Sequence, residues 1–183
     1  HLLITTRASA TGRLARRLEV KTFTQQQGAV FLLRRASLLA LDDPLSQASE
    51  QDQRIAQAIA HELGALPLAL DQAGAYLEQT GSGLSEYLQI YQSHRMHLLS
   101  ERGKLVVDHP EAVATTWSLS FARVEQKNPT AASMLRLCAF LSADAIPVTL
   151  MRKGVKPIAR DTLALNQAIE TLRAYSLVNY NLV

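Results

Sequence analysis

No helix runs unbroken through Gly64-Ala65-Leu66-Pro67. Proline lacks the N–H that a helix interior needs, and its ring forces the residue before it out of helical geometry. At the first position of a new helix the same residue fits, because that N–H has no partner there anyway. Glycine just upstream suits the end of the preceding helix. The stretch therefore divides two amphipathic helices, one over 53–63 and one over 67–79. In the first, Ile55, Ile59 and Leu63 recur four apart; in the second, Leu70, Ala73, Gly74 and Leu77 form the stripe. Gly74 in mid-helix is expected where another helix packs close, since glycine there costs about 1 kcal/mol against alanine.

The same periodicity extends outward from this junction. Thr24 and Gln27 have capping-box spacing ahead of a helix over 24–41, with Ala29, Leu32, Leu33, Ala36, Leu39 and Ala40 on one face. The polar span 42–52, with Pro44, reads as a loop. Beyond Thr80-Gly81-Ser82-Gly83, residues Leu84, Tyr87, Leu88 and Tyr91 mark a fourth helix. Four successive helices make a bundle over 24–100. Residues 101–111 read as a linker, and a second unit occupies 112–183. Its helices run over 112–125, with Trp117 as core anchor beside Ser120, Phe121 and Val124, then over 129–141 behind Asn128-Pro129, and over 161–175. Alternation at Val178, Tyr180 and Leu182 suggests a short C-terminal strand. Three helices followed by a strand is how a winged-helix unit begins its wing. The expected fold is mainly α, a helical bundle followed by a winged-helix-like domain.

Composition agrees. Aromatics are 5% and hydrophobic residues 48%, with leucine and alanine prominent, which favours helices over a barrel or sandwich. Cys138 is the single cysteine, which excludes an internal disulfide and any CxxC metal site; inside an apolar helix it reads as a small core residue. His61-Glu62 does not open a zinc motif, because Ala65 stands where the second histidine belongs. His94 and His97 are spaced as an adventitious metal pair and read as exposed helix residues. No paired carboxylates or Ser–His–Asp set is visible, and no apolar run reaches membrane length. Arg13, Arg16 and Arg17 cluster without interleaved aromatics and read as a solvated face. A net charge of +3 permits nucleic-acid contact without arguing for it.

Two stretches together resemble the NB-ARC family of STAND-type nucleotide switches. Gly64-Ala65-Leu66-Pro67-Leu68 is similar to the family's GLPL motif, and His1-Leu2-Leu3-Ile4-Thr5-Thr6-Arg7 to its sensor-1 strand. Ala174-Tyr175-Ser176-Leu177-Val178 resembles the stretch leading into the family's wing. The resemblance implies that residues 1–23 end a P-loop domain, 24–100 form the helical module and 112–183 begin the winged helix. It implies that Pro67 lies against bound ADP, that Arg7 faces the terminal phosphate, and that Leu66 and Gly64 shape the pocket. The expected cofactor is ADP or ATP, with magnesium in a longer parent protein. Expected partners are an upstream P-loop domain and a downstream repeat domain of the same chain, in a cytoplasmic protein that oligomerises. No Gly-x-x-x-x-Gly-Lys-Ser/Thr is present, so this stretch is expected to be non-catalytic and to bind nucleotide weakly at most. Two other readings stand beside this one. One is a winged-helix DNA-binding regulator, for which the helix over 161–175 offers only Asn166, Gln167 and Arg173. The other is a purely structural helical interaction module.

Overall fold

A computed structural model of the chain describes residues 20–102, 111–142, 145–158 and 160–179. Among these residues the chain is helical and carries no strand. The C-terminal strand is therefore not found where it is described: Val178 and Asn179 are irregular, and 180–183 lie outside the described residues. The expected sensor strand and the arginine cluster at 13–17 lie outside them too.

Helix α1 (Gln25–Arg35) starts at the expected capping box: the Gln27 N–H donates to Thr24 Oγ1, and the Thr24 N–H donates to Gln27 Oε1. It ends six residues before Leu41, where Ser37 turns left-handed at φ 59°. Helix α2 (Glu50–Glu62) begins at Ser49, whose side chain accepts from the Asp52 N–H. Helix α3 (Pro67–Thr80) follows, then α4 (Leu84–Arg102), which continues through residues 100–102. α1 packs on α2 and α3, and α2 on α4. Their shared core includes Leu32, Leu33, Ile59, Leu63, Leu70 and Tyr87, all essentially without solvent contact.

Helix α5 (Glu111–Lys127) lies across α3 and α4 and carries the second half of the chain. Against it packs α6 (Pro129–Cys138), capped by Asn128. A short α7 (Val148–Gly154) and a 3₁₀ turn (Lys156–Ile158) follow, in a stretch where the sequence showed no helical period. Helix α8 (Thr162–Ala174), capped by Asp161, closes against α6.

The face that α5 buries matches the expected one at Ser120 and Val124 but turns away from Trp117. Thr115, Thr116, Leu119, Ser120 and Val124 are buried, while Trp117 is 40% exposed and stacks on Phe121 at 5.2 Å. Trp117 is thus not a core anchor. Threonine can replace apolar residues here because its hydroxyl bonds back to its own helix: Thr115 Oγ1 donates to the Glu111 carbonyl at 2.9 Å. Thr116 Oγ1 reaches Gln72 Oε1 on α3 at 2.8 Å, a buried polar link across the α3–α5 contact. Cys138 is half-buried, with its Sγ 3.9 Å from Met151 Sδ, and burial pushes its thiol up from its ordinary value.

Tyr87 is buried, and its hydroxyl has no hydrogen-bond partner. Burial, reinforced by Tyr91 and Tyr76, drives its phenol well above the ordinary tyrosine range. Its folded pKa exceeds the unfolded one, so this contribution to stability is complete below pH ~10 and is lost as pH rises from there. Tyr87→Phe removes an unpaired buried hydroxyl and is expected to leave urea stability at pH 7 equal or higher. It should also flatten the decline above pH ~10. A loss of more than about 1 kcal/mol at pH 7 would show that the hydroxyl has a partner after all.

Candidate nucleotide-facing turn

The turn at Gly64–Pro67 is built by the end of α2. Leu63 closes the helix and Gly64 turns left-handed at φ 62°. The Gly64 N–H then donates to the His61 carbonyl and the Ala65 N–H to the Ala60 carbonyl. This is the Schellman arrangement, which satisfies carbonyls the helix end leaves open. Ala65 is left-handed as well, at φ 50°, a conformation that costs a residue with a Cβ about 1 kcal/mol or more. It is held there from both sides. Its side chain is buried, and its carbonyl accepts from the Phe23 N–H at 3.1 Å. Leu66 is then extended, as the residue before a proline should be, and Pro67 opens α3.

This geometry sorts the motif into two faces. Ala69 and Leu70 point into the core and are fully buried. Gly64 and Pro67 are exposed, Leu66 is half-buried, and Leu68 is 53% exposed. Leu66, as N-cap, supplies no side-chain hydrogen bond, and the first turn of α3 holds no acid. The partial positive charge at this helix end is therefore not offset locally. The result is a small apolar ledge beside the open end of a helix. It offers van der Waals surface to a flat apolar group and holds no side chain fit for acid, base or nucleophilic work. Of the expected site residues, the structure brings Gly64, Leu66 and Pro67 together on this ledge; Arg7 lies outside the described residues.

A 510 Å³ cleft lies at the opposite end of α3. Thr80, Gly81, Glu86, Arg123, Lys127 and Tyr175 line it. With ~1.5 Å rise per residue, the length of α3 puts it ~20 Å from Pro67. The C-terminal ends of α3, α5 and α8 meet there, and cations belong at such ends. Arg123 Nε donates to the Tyr76 hydroxyl at 3.0 Å and its guanidinium lies over the Tyr76 ring; Lys127 lies over Tyr175. Both cations are engaged by tyrosines of the joint between the two halves, so we read the cleft as part of that joint. Among the described residues no cluster of three metal-ligating side chains occurs.

A third constellation was invisible to sequence reasoning. Arg35, at the last turn of α1, donates from Nε to Asp71 Oδ1 at 2.9 Å and from Nη1 to Glu78 Oε2 at 2.6 Å, both on α3. From Nη2 it donates to Ser176 Oγ at 3.1 Å, just past α8. Ser37 Oγ donates to the other oxygen of Glu78 at 2.8 Å. These two donors hold the Glu78 carboxyl below its usual range. The stem of Arg35 lies on Gly74: a Cβ there would sit 2.5 Å from Arg35 Cγ. The mid-helix glycine thus answers a close approach, as its placement suggested. The partners of Arg35 lie 36, 43 and 141 residues away, and no local pattern links them.

Comparison with known proteins adds one relative. The chain is similar to a protein of Hyaloscypha variabilis (strain UAMH 11265 / GT02V1 / F) named a nucleotide-binding leucine-rich repeat (NLR)-like protein. The two are 31% identical over 133 residues, which is 67% of this chain and 13% of that protein. No family model matches the chain, and no solved structure does. The similarity supports a relationship to NLR-type proteins, of which the chain spans a small part.

Proposed function

We propose that the chain is the helical lid of an NB-ARC-type nucleotide switch. In this reading α1–α4 close over ADP or ATP held chiefly by a P-loop domain of the same polypeptide, with Pro67 and its neighbours Leu66 and Gly64 against the nucleotide. Arg7 contacts the terminal phosphate. The helices from α5 onward are the start of a winged-helix unit, and their joint with α1 and α3 passes the nucleotide state on to domain rearrangement and oligomerisation. A downstream repeat domain and a cytoplasmic location belong to the same reading. Magnesium and the phosphate cradle come from the P-loop domain, so this stretch is regulatory and not itself catalytic.

The observation that carries the proposal is the division of the motif at Pro67. A helix start needed only for packing would bury its apolar residues; here Pro67 and Leu68 stand exposed at an uncapped helix end while Leu70 is buried. A ligand with two states of contact at such a ledge biases the lid between two arrangements. The NLR-like relative and the order of the two motifs lend support.

The test is an ADP titration by calorimetry on this chain and on a longer chain that carries a P-loop domain ahead of it. We expect heat of binding only in the longer chain, and about fivefold weaker affinity in its Pro67→Ala variant, the scale of one apolar contact of ~1 kcal/mol. Affinity unchanged by Pro67→Ala, or no binding by the longer folded chain, would remove the lid reading.

A further inference from the structure

We infer that Ser37 is a phosphorylation site for an arginine-directed serine/threonine kinase, and that the phosphate there unlatches the end of α8 from α1 and α3. The residues around it read Leu33-Arg34-Arg35-Ala36-Ser37-Leu38. Kinases of this class carry carboxylates that pair with arginines two and three residues before the acceptor, and an apolar pocket for the residue after it. Arg34 and Arg35 stand at those two positions, and Leu38, 55% exposed, stands at the third.

The acceptor is presented. Ser37 is exposed and lies one residue beyond the C-cap of α1, in a left-handed turn. Binding in an extended peptide cleft requires the last turn of α1 to open, and helix ends are where local opening is least costly. The cost of opening includes the bond from Arg34 Nη2 to the Asp43 carbonyl at 3.0 Å, while the buried Arg34 Nε has no hydrogen-bond partner to lose. In the transfer, Ser37 Oγ attacks the γ-phosphorus of magnesium-bound ATP. The O–P bond to the β-phosphate breaks, ADP leaves, and the hydroxyl proton passes to the kinase's base.

The product does not fit the closed arrangement. A phosphoserine carries nearly two negative charges, and its Oγ loses the proton it now donates to the ionised Glu78 at 2.8 Å, at the negative end of the α1 dipole. Arg35 shares the Glu78 carboxylate with Ser37 and is already divided between Asp71, Glu78 and Ser176. Pairing with the phosphate draws it away from Ser176, the contact that ties the end of α8 to α1. This inference does not depend on nucleotide binding.

The experiment treats the folded chain with the catalytic subunit of cyclic-AMP-dependent protein kinase and labelled magnesium-ATP. Tandem mass spectrometry locates the label, and amide hydrogen exchange follows residues 172–178. We expect label at Ser37, none there in Ser37→Gly (which keeps the left-handed turn), and rates about ten- to a hundredfold lower in Arg34→Ala, the scale of one charge-assisted hydrogen bond. We expect faster exchange at 172–178 only in the labelled protein. A peptide spanning 31–41 labelled at Ser37 while the folded chain is not would overturn the site, as would undiminished labelling of Arg34→Ala. Labelling at Ser37 with unchanged exchange at 172–178 would overturn the unlatching.

Discussion

Leu70→Ala is expected to destabilise the protein by about 2–5 kcal/mol, lowering the melting temperature by about 5–15 °C. Leu70 is fully buried on α3, and its Cδ1 lies against the Gly28 turn of α1, 3.3 Å from where a Cβ on that glycine would stand. Removing three carbons leaves a cavity between two helices already in close contact, which collapse only partly into it. Pro67→Ala, three residues earlier in the same motif, is expected to change stability by less than about 1 kcal/mol, because Pro67 is exposed at a position where its N–H is not missed. Urea unfolding of the two variants separates the structural part of the motif from the part free to meet a ligand. A loss below about 1 kcal/mol for Leu70→Ala would mean that α3 does not pack on α1 as described.

Gly74→Ala is the second large effect, expected at about 1–3 kcal/mol of lost stability. Alanine elsewhere in a helix gains about 1 kcal/mol over glycine, so the sign alone is informative. Here the new methyl would meet Arg35 Cγ at 2.5 Å, Arg35 Cβ at 2.7 Å and its backbone carbonyl carbon at 3.3 Å. The flexible end of Arg35 can swing aside, but its Cβ and backbone cannot unless α1 and α3 separate. Swinging aside also breaks its bonds to Asp71, Glu78 and Ser176. The two effects should couple: in an Arg35→Ala background the clash with Cγ is gone, and Gly74→Ala should cost less there than in the wild type. Strict additivity in thermal unfolding would count against the close approach.

Much of this fold is legible in the sequence wherever a cap and a stripe coincide. Thr24 with Gln27, Asn128 with Pro129, and Asp161 each mark a helix start by chemistry confined to a few residues. Helix ends are less legible. Apolar periodicity carries α1 on to Leu41, yet Ser37 takes the left-handed turn that glycine takes at the end of α2, and nothing in a serine announces it. The seven residues of α7 are too few to show a period. On α5, reading burial from apolar residues put Trp117 in the core and passed over Thr115 and Thr116, which do not look like core until their neighbours are known. The site divides in the same way. Pro67 is marked by its backbone demands, whereas the Arg35 junction depends on which helices meet and leaves no local trace.

The bond from the Phe23 N–H to the Ala65 carbonyl ties the entry to α1 to the turn that carries Pro67. Forty-two positions apart in sequence, the two segments share one mechanical fate. Ala65 has little slack, since its backbone already sits where an alanine is reluctant to be. A pull on the chain ahead of α1 therefore reaches the exposed ledge directly, without first deforming a helix. The ledge keeps its position only as long as the approach to α1 keeps its own.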